Sequence, residues 1–266
     1  SIFPITLPTE RPDLACQMLL QGRCVLMCEN SNEVVILPCT FIDFFKTPDD
    51  YYEKSLNVFA SRVIRIISLI LTLLTPAIYI SLMAYNLEAI PSGLLINFSI
   101  QRDGVPFTTI FEILVMSFMF QILRESDLRF PSSYGSAISI LGAIVLGEAS
   151  VSAGIASPIT IIVISITFIS SLTFTNIELN NALRYFRIIF IVLAGLFGLY
   201  GVTLGLFYFL IYSTSTYSMN RNYFAPISPF NKEYFFESVL KEDVLKNNKR
   251  SSLFTKKNLT KMKVKK

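Results

Sequence analysis

No lysine occurs between Lys54 and Lys232, and across 63–212 only six arginines and seven acidic residues interrupt long uncharged runs. A water-soluble domain spreads charge over its whole surface. A chain that keeps charge out of successive apolar runs is built for a bilayer, where a charged residue at the centre of a spanning helix costs about 3 kcal/mol. The 52% hydrophobic composition agrees. The fold class expected is an α-helical polytopic membrane protein carrying the end of a small α/β soluble domain at its N-terminus. Three regions follow: 1–60 as that soluble part and its junction, 61–214 as the membrane domain of about four to six hydrophobic helices, and 215–266 as a basic cytoplasmic tail.

The first region is mixed. TERPDLACQMLLQG (9–22) reads as a helix, with Thr9 as a cap, Pro12 in its first turn and Gly22 at its end. RCVLMCENSNEVVILP (23–38) reads as a β-hairpin turning at Asn30, Ser31 and Asn32. In 41–60, Phe44, Phe45, Tyr51 and Tyr52 suit either headgroup level or a buried contact between domain and membrane. Four cysteines, Cys16, Cys24, Cys28 and Cys39, precede the first apolar run. They form no CxxC pair, so buried free thiols are expected rather than a metal site. The start of the chain resembles the later part of a domain, as a piece of a longer product would.

Four spans are clear from the pattern: 64–87, 132–156, 158–174 and 187–212. Pro76 is expected to kink the first unless neighbours replace its lost hydrogen bond. Gly198, Gly201 and Gly205 in the last permit close helix contact or bending. The run 107–123 contains Glu112, Ser117 and Gln121 and reads as interfacial or re-entrant, with a further span as the alternative. Ten Lys or Arg in 241–266 argue for a cytoplasmic C-terminus. Arg62, Arg65 and the free thiols argue the same for the N-terminus. Four crossings satisfy both ends, but they put Arg184 and Arg187 on the opposite side from the tail, against the usual bias.

GEASVSAGIASP (147–158) places one carboxylate, Glu148, among tiny residues. Upstream, Ser132, Gly135, Ser139 and Gly142 recur at helical spacing. Two readings stand. Small residues let helices pack closely, with Glu148 paired to Arg184 or Arg187 at a helix junction. Alternatively, this helix lines a polar path with Glu148 at its mouth, where Gly154 and Pro158 bound a movable helix end. Glu112 is the second candidate; it is costly in lipid unless paired, protonated or turned into the bundle. Catalysis finds no frame: the chain has no histidine, no phosphate-binding loop, no dinucleotide signature and no zinc ligand set. No cofactor is expected. Nucleic-acid binding is not expected either, since no aromatic residues interleave with the tail lysines.

LPTERPD (7–13), QRDGVPF (101–107), QILRESDLRFP (121–131), GIASP (154–158), FGLYG (197–201) and YFAPISPF (223–230) closely resemble, in the same order, the A-subunit family of spore germinant receptors. A sister family tied to a spore membrane channel complex shares this layout. The resemblance implies a multi-pass protein of the spore inner membrane with a larger soluble region before this start. It implies work with a transporter-like B-type subunit and a lipoprotein C-type subunit in sensing a nutrient and triggering ion release. It also implies a homo-oligomeric ring, a pentamer, conducting monovalent cations among membrane lipids. A non-conducting scaffold that couples a sensor to a separate channel is the alternative. By motif position, Arg11 and Asp13 belong to the junction; Arg102, Asp103, Gly104 and Pro106 to the connector; Arg124 and Glu125 to the charged turn. Glu148, Gly154 and Pro158 match the small-residue region, and Pro226 and Pro229 the motif after the last span. The family pattern has glutamate where this chain has Asp103, and the lysine-rich extension after 240 departs from it.

Overall fold

The computed structural model describes residues 1–127 and 132–230. They divide into two compact units that the chain visits in turn. The first takes 1–67, 174–182 and 208–230; the second takes 68–173 and 183–207.

The first unit opens with strand β1 (Leu7–Thr9), helix α1 (Pro12–Leu20) and strands β2 (Cys24–Met27) and β3 (Val34–Leu37). The antiparallel sheet has the order β1-β3-β2, with Ile36 opposite both Leu7 and Val25. Asn30 takes φ 63° in the β2–β3 connection, as a turn asparagine does, and Gly22 takes φ 91° just beyond α1. Thr9 does not cap α1. It lies in β1, and Arg11 occupies the cap position with its N–H donating to the Thr9 hydroxyl. The buried-thiol expectation holds for Cys39 alone; Cys16, Cys24 and Cys28 are exposed. Burial pushes the Cys39 thiol well above its ordinary value and keeps it protonated.

The core of this unit is aromatic. Phe3 lies 5.4 Å from the Tyr223 ring, and Phe41 lies 5.2 Å from Phe45. Phe44 and Phe45 are buried here, whereas Tyr52 is exposed. The Phe41 N–H donates to the Tyr223 carbonyl (2.8 Å), which ties the motif around Pro226 and Pro229 to the front of the chain. Both of those prolines follow cis peptide bonds. A two-residue ribbon of β4 (Tyr217–Ser218) and β5 (Arg221–Asn222) precedes them.

Among the described residues six α-helices follow the sheet: α2 (Ser55–Tyr85), α3 (Ser92–Arg102), α4 (Thr109–Asp127), α5 (Ser132–Ser152), α6 (Pro158–Leu172) and α7 (Ile177–Ser215). α2 runs continuously through Pro76. α3 has no clear apolar period, and all its residues are at least partly exposed. α2 and α7 are long and apolar enough to cross a membrane, whereas α6 is a shorter apolar helix. The segment 107–123 forms most of α4, packed against α5 and α6.

α7 differs most from expectation. As one rod its 39 residues would run about 58 Å, nearly twice a hydrocarbon core of about 30 Å. Instead Gly198 adopts φ 61°, ψ −140°, and the chain doubles back. A side chain at Gly205 would meet the Phe190 ring at 2.8 Å, and one at Gly201 would fall on the Leu193 carbonyl. Residues 15 and 8 apart touch only if the two arms, 177–197 and 199–215, lie side by side. The expected single span 187–212 is therefore a helical hairpin. Tyr85, the last residue of α2, clasps its tip: the hydroxyl donates to the Gly195 carbonyl (2.6 Å), and the ring fills the space where a Gly198 side chain would stand.

Candidate functional site

α4 and α6 lie side by side and run the same way. Glu112 meets Thr160, Phe120 meets Phe168 (5.4 Å between ring centres), and Arg124 donates to the Ser171 hydroxyl (3.2 Å). The mildly polar flank of α6, Thr160, Thr167 and Ser171, faces inward and is buried. α5 connects the two; a side chain on Gly142 would press on Leu123 of α4 at 2.9 Å. Gly142 is thus a helix-approach position.

Glu112 is wholly buried. Its Oε2 accepts from the Ser157 N–H and from the Thr160 hydroxyl, both at 2.9 Å. Oε1 lies 3.5 Å from a terminal nitrogen of Arg102, whose side chain is 24% exposed. Thr160 also contacts the Ser157 hydroxyl (2.9 Å) and the Tyr79 hydroxyl (3.3 Å). The carboxylate therefore escapes the cost of burial by being paired and turned inward. The backbone closes the same node. Two residues past the end of α5, Gly154 takes φ 66°, and a Cβ there would stand 2.9 Å from the Gly104 carbonyl. Three short motifs, QRDGVPF, the start of α4 and GIASP, meet at this one carboxylate. Asp103 caps the end of α3 beside it, and Pro158 opens α6.

Glu148 behaves differently. It is exposed near the end of α5 and makes no ion pair with Arg184, Arg187 or any other described residue. The junction pair weighed from sequence is not formed. The side chains of Ser132, Gly135 and Ser139 lie outside the described residues, as do 128–131 of the charged turn and the basic tail from 231 on. Glu125 is exposed at the end of α4.

In the first unit the junction motif holds an exposed triad. Arg11 donates to Asp13 and to Asp49, each at 2.9 Å. Two buried networks lie beneath. Arg23 grips both oxygens of Asp43 (2.7 and 2.9 Å), and the Thr40 N–H and hydroxyl add two more donors. Asp50 takes Arg62 (3.1 Å) and Arg65 (3.0 Å). Burial alone would raise the Asp43 carboxyl, but Arg23, Lys46 and the Thr40 hydrogen bond hold it well below the usual carboxylate range. These networks were not foreseen. In the sequence Arg62 and Arg65 bear on orientation, and Arg23 and Asp43 carry no local signal.

Residues 1–253 match the family model described as Bacillus/Clostridium GerA spore germination protein. The chain belongs to this family. GerA-family relatives include spore germination protein KA of Bacillus subtilis (strain 168), 35% identical over 262 residues, which is 93% of this chain and 48% of that protein. Spore germination protein GerLA of Bacillus cereus is 35% identical over 240 residues, 90% of this chain and 49% of that protein. The uncharacterized membrane protein YfkQ of Bacillus subtilis (strain 168) is 35% identical over 233 residues, 88% of this chain and 45% of that protein. The chain thus spans about half the length of the curated relatives it matches. No solved structure matches it. Family membership and two helices long and apolar enough to cross a membrane make this a germination-related membrane protein.

Proposed function

We propose that this chain is the membrane part of an A-type subunit of a nutrient germinant receptor in the spore inner membrane. In this reading several copies form a ring, a pentamer, around a cation path, together with a transporter-like B-type and a lipoprotein C-type subunit. Family membership supports the receptor assignment. The observation that carries the channel reading is Glu148: a carboxylate near the end of a membrane helix, exposed and with no ion pair among the described residues. A ring of such carboxylates concentrates cations at a pore mouth. Ser132, Gly135 and Ser139 would continue the path along α5. Glu112 and Gly142 are positioning residues in this reading. The Glu112 node fixes the α5–α6 corner, where Gly154 and Pro158 would transmit gating.

With α7 counted as two crossings, both termini share one side only when α4 crosses as well, for six crossings in all. Two arms return the chain to the side it left, so Arg184, Arg187 and the chain beyond Ser215 share one side. That removes the conflict with the positive-inside bias that a single span created. The membrane domain 61–214 then comprises α2, the α4–α6 group and two arms of α7, ahead of the basic cytoplasmic tail.

Glu148→Lys, in the assembled receptor reconstituted into liposomes, should invert the preference for potassium over chloride in germinant-triggered flux. Unchanged selectivity in an intact assembly would take Glu148 off the path. Absence of flux from an assembly of wild-type A subunits would favour a scaffold that hands the signal to another channel.

A further inference from the structure

Helix α3 has no part in the ion path. Its half-buried residues Leu95, Phe98 and Arg102 recur at i, i+3 and i+7, so they share one face. That face lies against the bundle, where α3 touches α6 and Arg102 reaches Glu112. The opposite face carries Gly93, Ile96 and Ile100 at the same spacing, and the two isoleucines are 59% and 65% exposed. Ser92 and Ser99 flank this stripe on one side, Asn97 and Gln101 on the other. Residues 89–101 hold no charge, and Glu88 and Arg102 bracket them. An apolar stripe edged by neutral polar side chains suits a boundary between oil and water better than bulk water.

The neighbours of α3 set its level. α2, long and apolar enough to cross a membrane, ends at Tyr85, just ahead of α3. α6 runs against α2: Thr173 donates to the Ser68 hydroxyl (3.2 Å) towards one end, and Thr160 meets the Tyr79 hydroxyl (3.3 Å) towards the other. The start of α4, the α5–α6 corner and the α7 tip therefore gather at the end where α2 finishes. Tyr85 and Tyr200 are exposed at this end. Exposed tyrosines at the ends of apolar helices mark headgroup level. A second protein chain is a poor match for the stripe. α3 has 11 residues, so its outward side offers on the order of 200 Å², against about 800 Å² per partner in a stable protein interface.

We propose that α3 lies in the bilayer interface on this side, with Ile96 and Ile100 set about 5–10 Å into the boundary between headgroups and acyl chains. This placement rests on α2 crossing the bilayer, part of the reading proposed above, and not on conduction. It ties the lipid surface to the α5–α6 corner, because the Gly104 carbonyl packs at Gly154 and Arg102 faces Glu112.

The chain has no tryptophan, so a single introduced one reports alone. The test uses the full chain in phosphatidylcholine bilayers whose acyl chains carry bromine either near the headgroup or near the methyl end. Ile96→Trp and Ile100→Trp should emit to the blue and be quenched about twofold more by the shallow bromines than by the deep ones, as side chains about 5–10 Å below the headgroups would be. Ile70→Trp, midway along α2 and 49% exposed, should show the reverse order. Leu94→Trp, also exposed, reports on the anchor: adding Ile96→Asp and Ile100→Asp should cut its shallow quenching to about half or less. Red-shifted emission that aqueous acrylamide quenches puts α3 in water and overturns the proposal, as does an anchor variant quenched as before. Deep quenching of Ile96→Trp equal to that of Ile70→Trp makes α3 part of a span and overturns it. A blue-shifted Ile96→Trp that no bromine quenches, with Ile96→Cys cross-linking between copies, marks a contact between chains and overturns it too. Loss of deep quenching at Ile70→Trp would strike the crossing of α2 itself, and the placement of α3 would fall with it. No germinant and no ion flux enter the readout, so α3 can fail while the cation path stands.

Discussion

Asp43 in the first unit and Glu112 in the second are both fully buried carboxylates facing an arginine, but they are held to different degrees. Asp43 receives two short bonds from a guanidinium that is itself fully buried, plus two from Thr40. Glu112 is well bonded on one oxygen only. Its other oxygen makes no hydrogen bond and sees Arg102 at 3.5 Å, and the Arg102 Nε is also without a bond. In the first arrangement both carboxylate oxygens are hydrogen-bonded, although the Arg23 Nε, like that of Arg102, makes no hydrogen bond, and the site is local to a small folded unit. The second joins three segments by a contact that water can reach through Arg102. The lesson is that charge type and burial do not set the strength of such a site. The completeness of the carboxylate's own hydrogen bonding and the exposure of its counter-ion do.

The largest expected effect tests the site bonded on both oxygens. Asp43→Asn leaves Arg23 buried without its counter-charge and should cost about 3–5 kcal/mol. Amide exchange of β3 in the full chain would report it as a protection loss of about two to four decades. The same measurement carries a pH signature. Because the folded Asp43 carboxyl is depressed, its contribution is fully present above the unfolded value of about 3.9. It is lost as pH falls below that toward the folded value. Protection attributable to this group should be flat from neutral pH to about 4 and decline only below it, and the asparagine variant should lack that decline. A decline beginning near pH 6 would break the comparison.

Glu112→Gln should cost less, about 1.5–3 kcal/mol, since Arg102 can turn its charge to water. The loss would be read in exchange at the start of α6. A cost equal to that at Asp43 would mean the two sites are equally tight. Gly154→Ala tests the backbone side of the same node. It forces a Cβ into a left-handed position and against the Gly104 carbonyl, for about 1–3 kcal/mol, and should loosen α4 and α6 together. At the small end, Glu148→Gln should change stability by less than about 0.5 kcal/mol, because no pair is broken.

Much of the helical part was legible locally. Runs of apolar residues bounded by Pro158, Gly154 or Asn30 need no partner to reveal themselves, because hydropathy and backbone preference act within a few residues. The glycines of FGLYG announced a bend or a close contact. They could not say which, because bending depends on what fills the inside of the corner, and that is the ring of Tyr85. Hydropathy also misread 187–212 as one span, since two apolar arms folded together have the same composition as one long rod.

What the sequence determined by itself is that this chain has a membrane-suited helical region behind a small mixed unit, and which family it belongs to. Those properties are written in composition and in short ordered motifs. Only the tertiary structure decided which charges are locked, which stand alone, and where α7 turns. Each of those depends on residues far apart in the chain, such as 102 with 112 and 157, or 85 with 198. A burial cost is offset by whichever donor the fold brings within about 3 Å, and no local pattern records that distance.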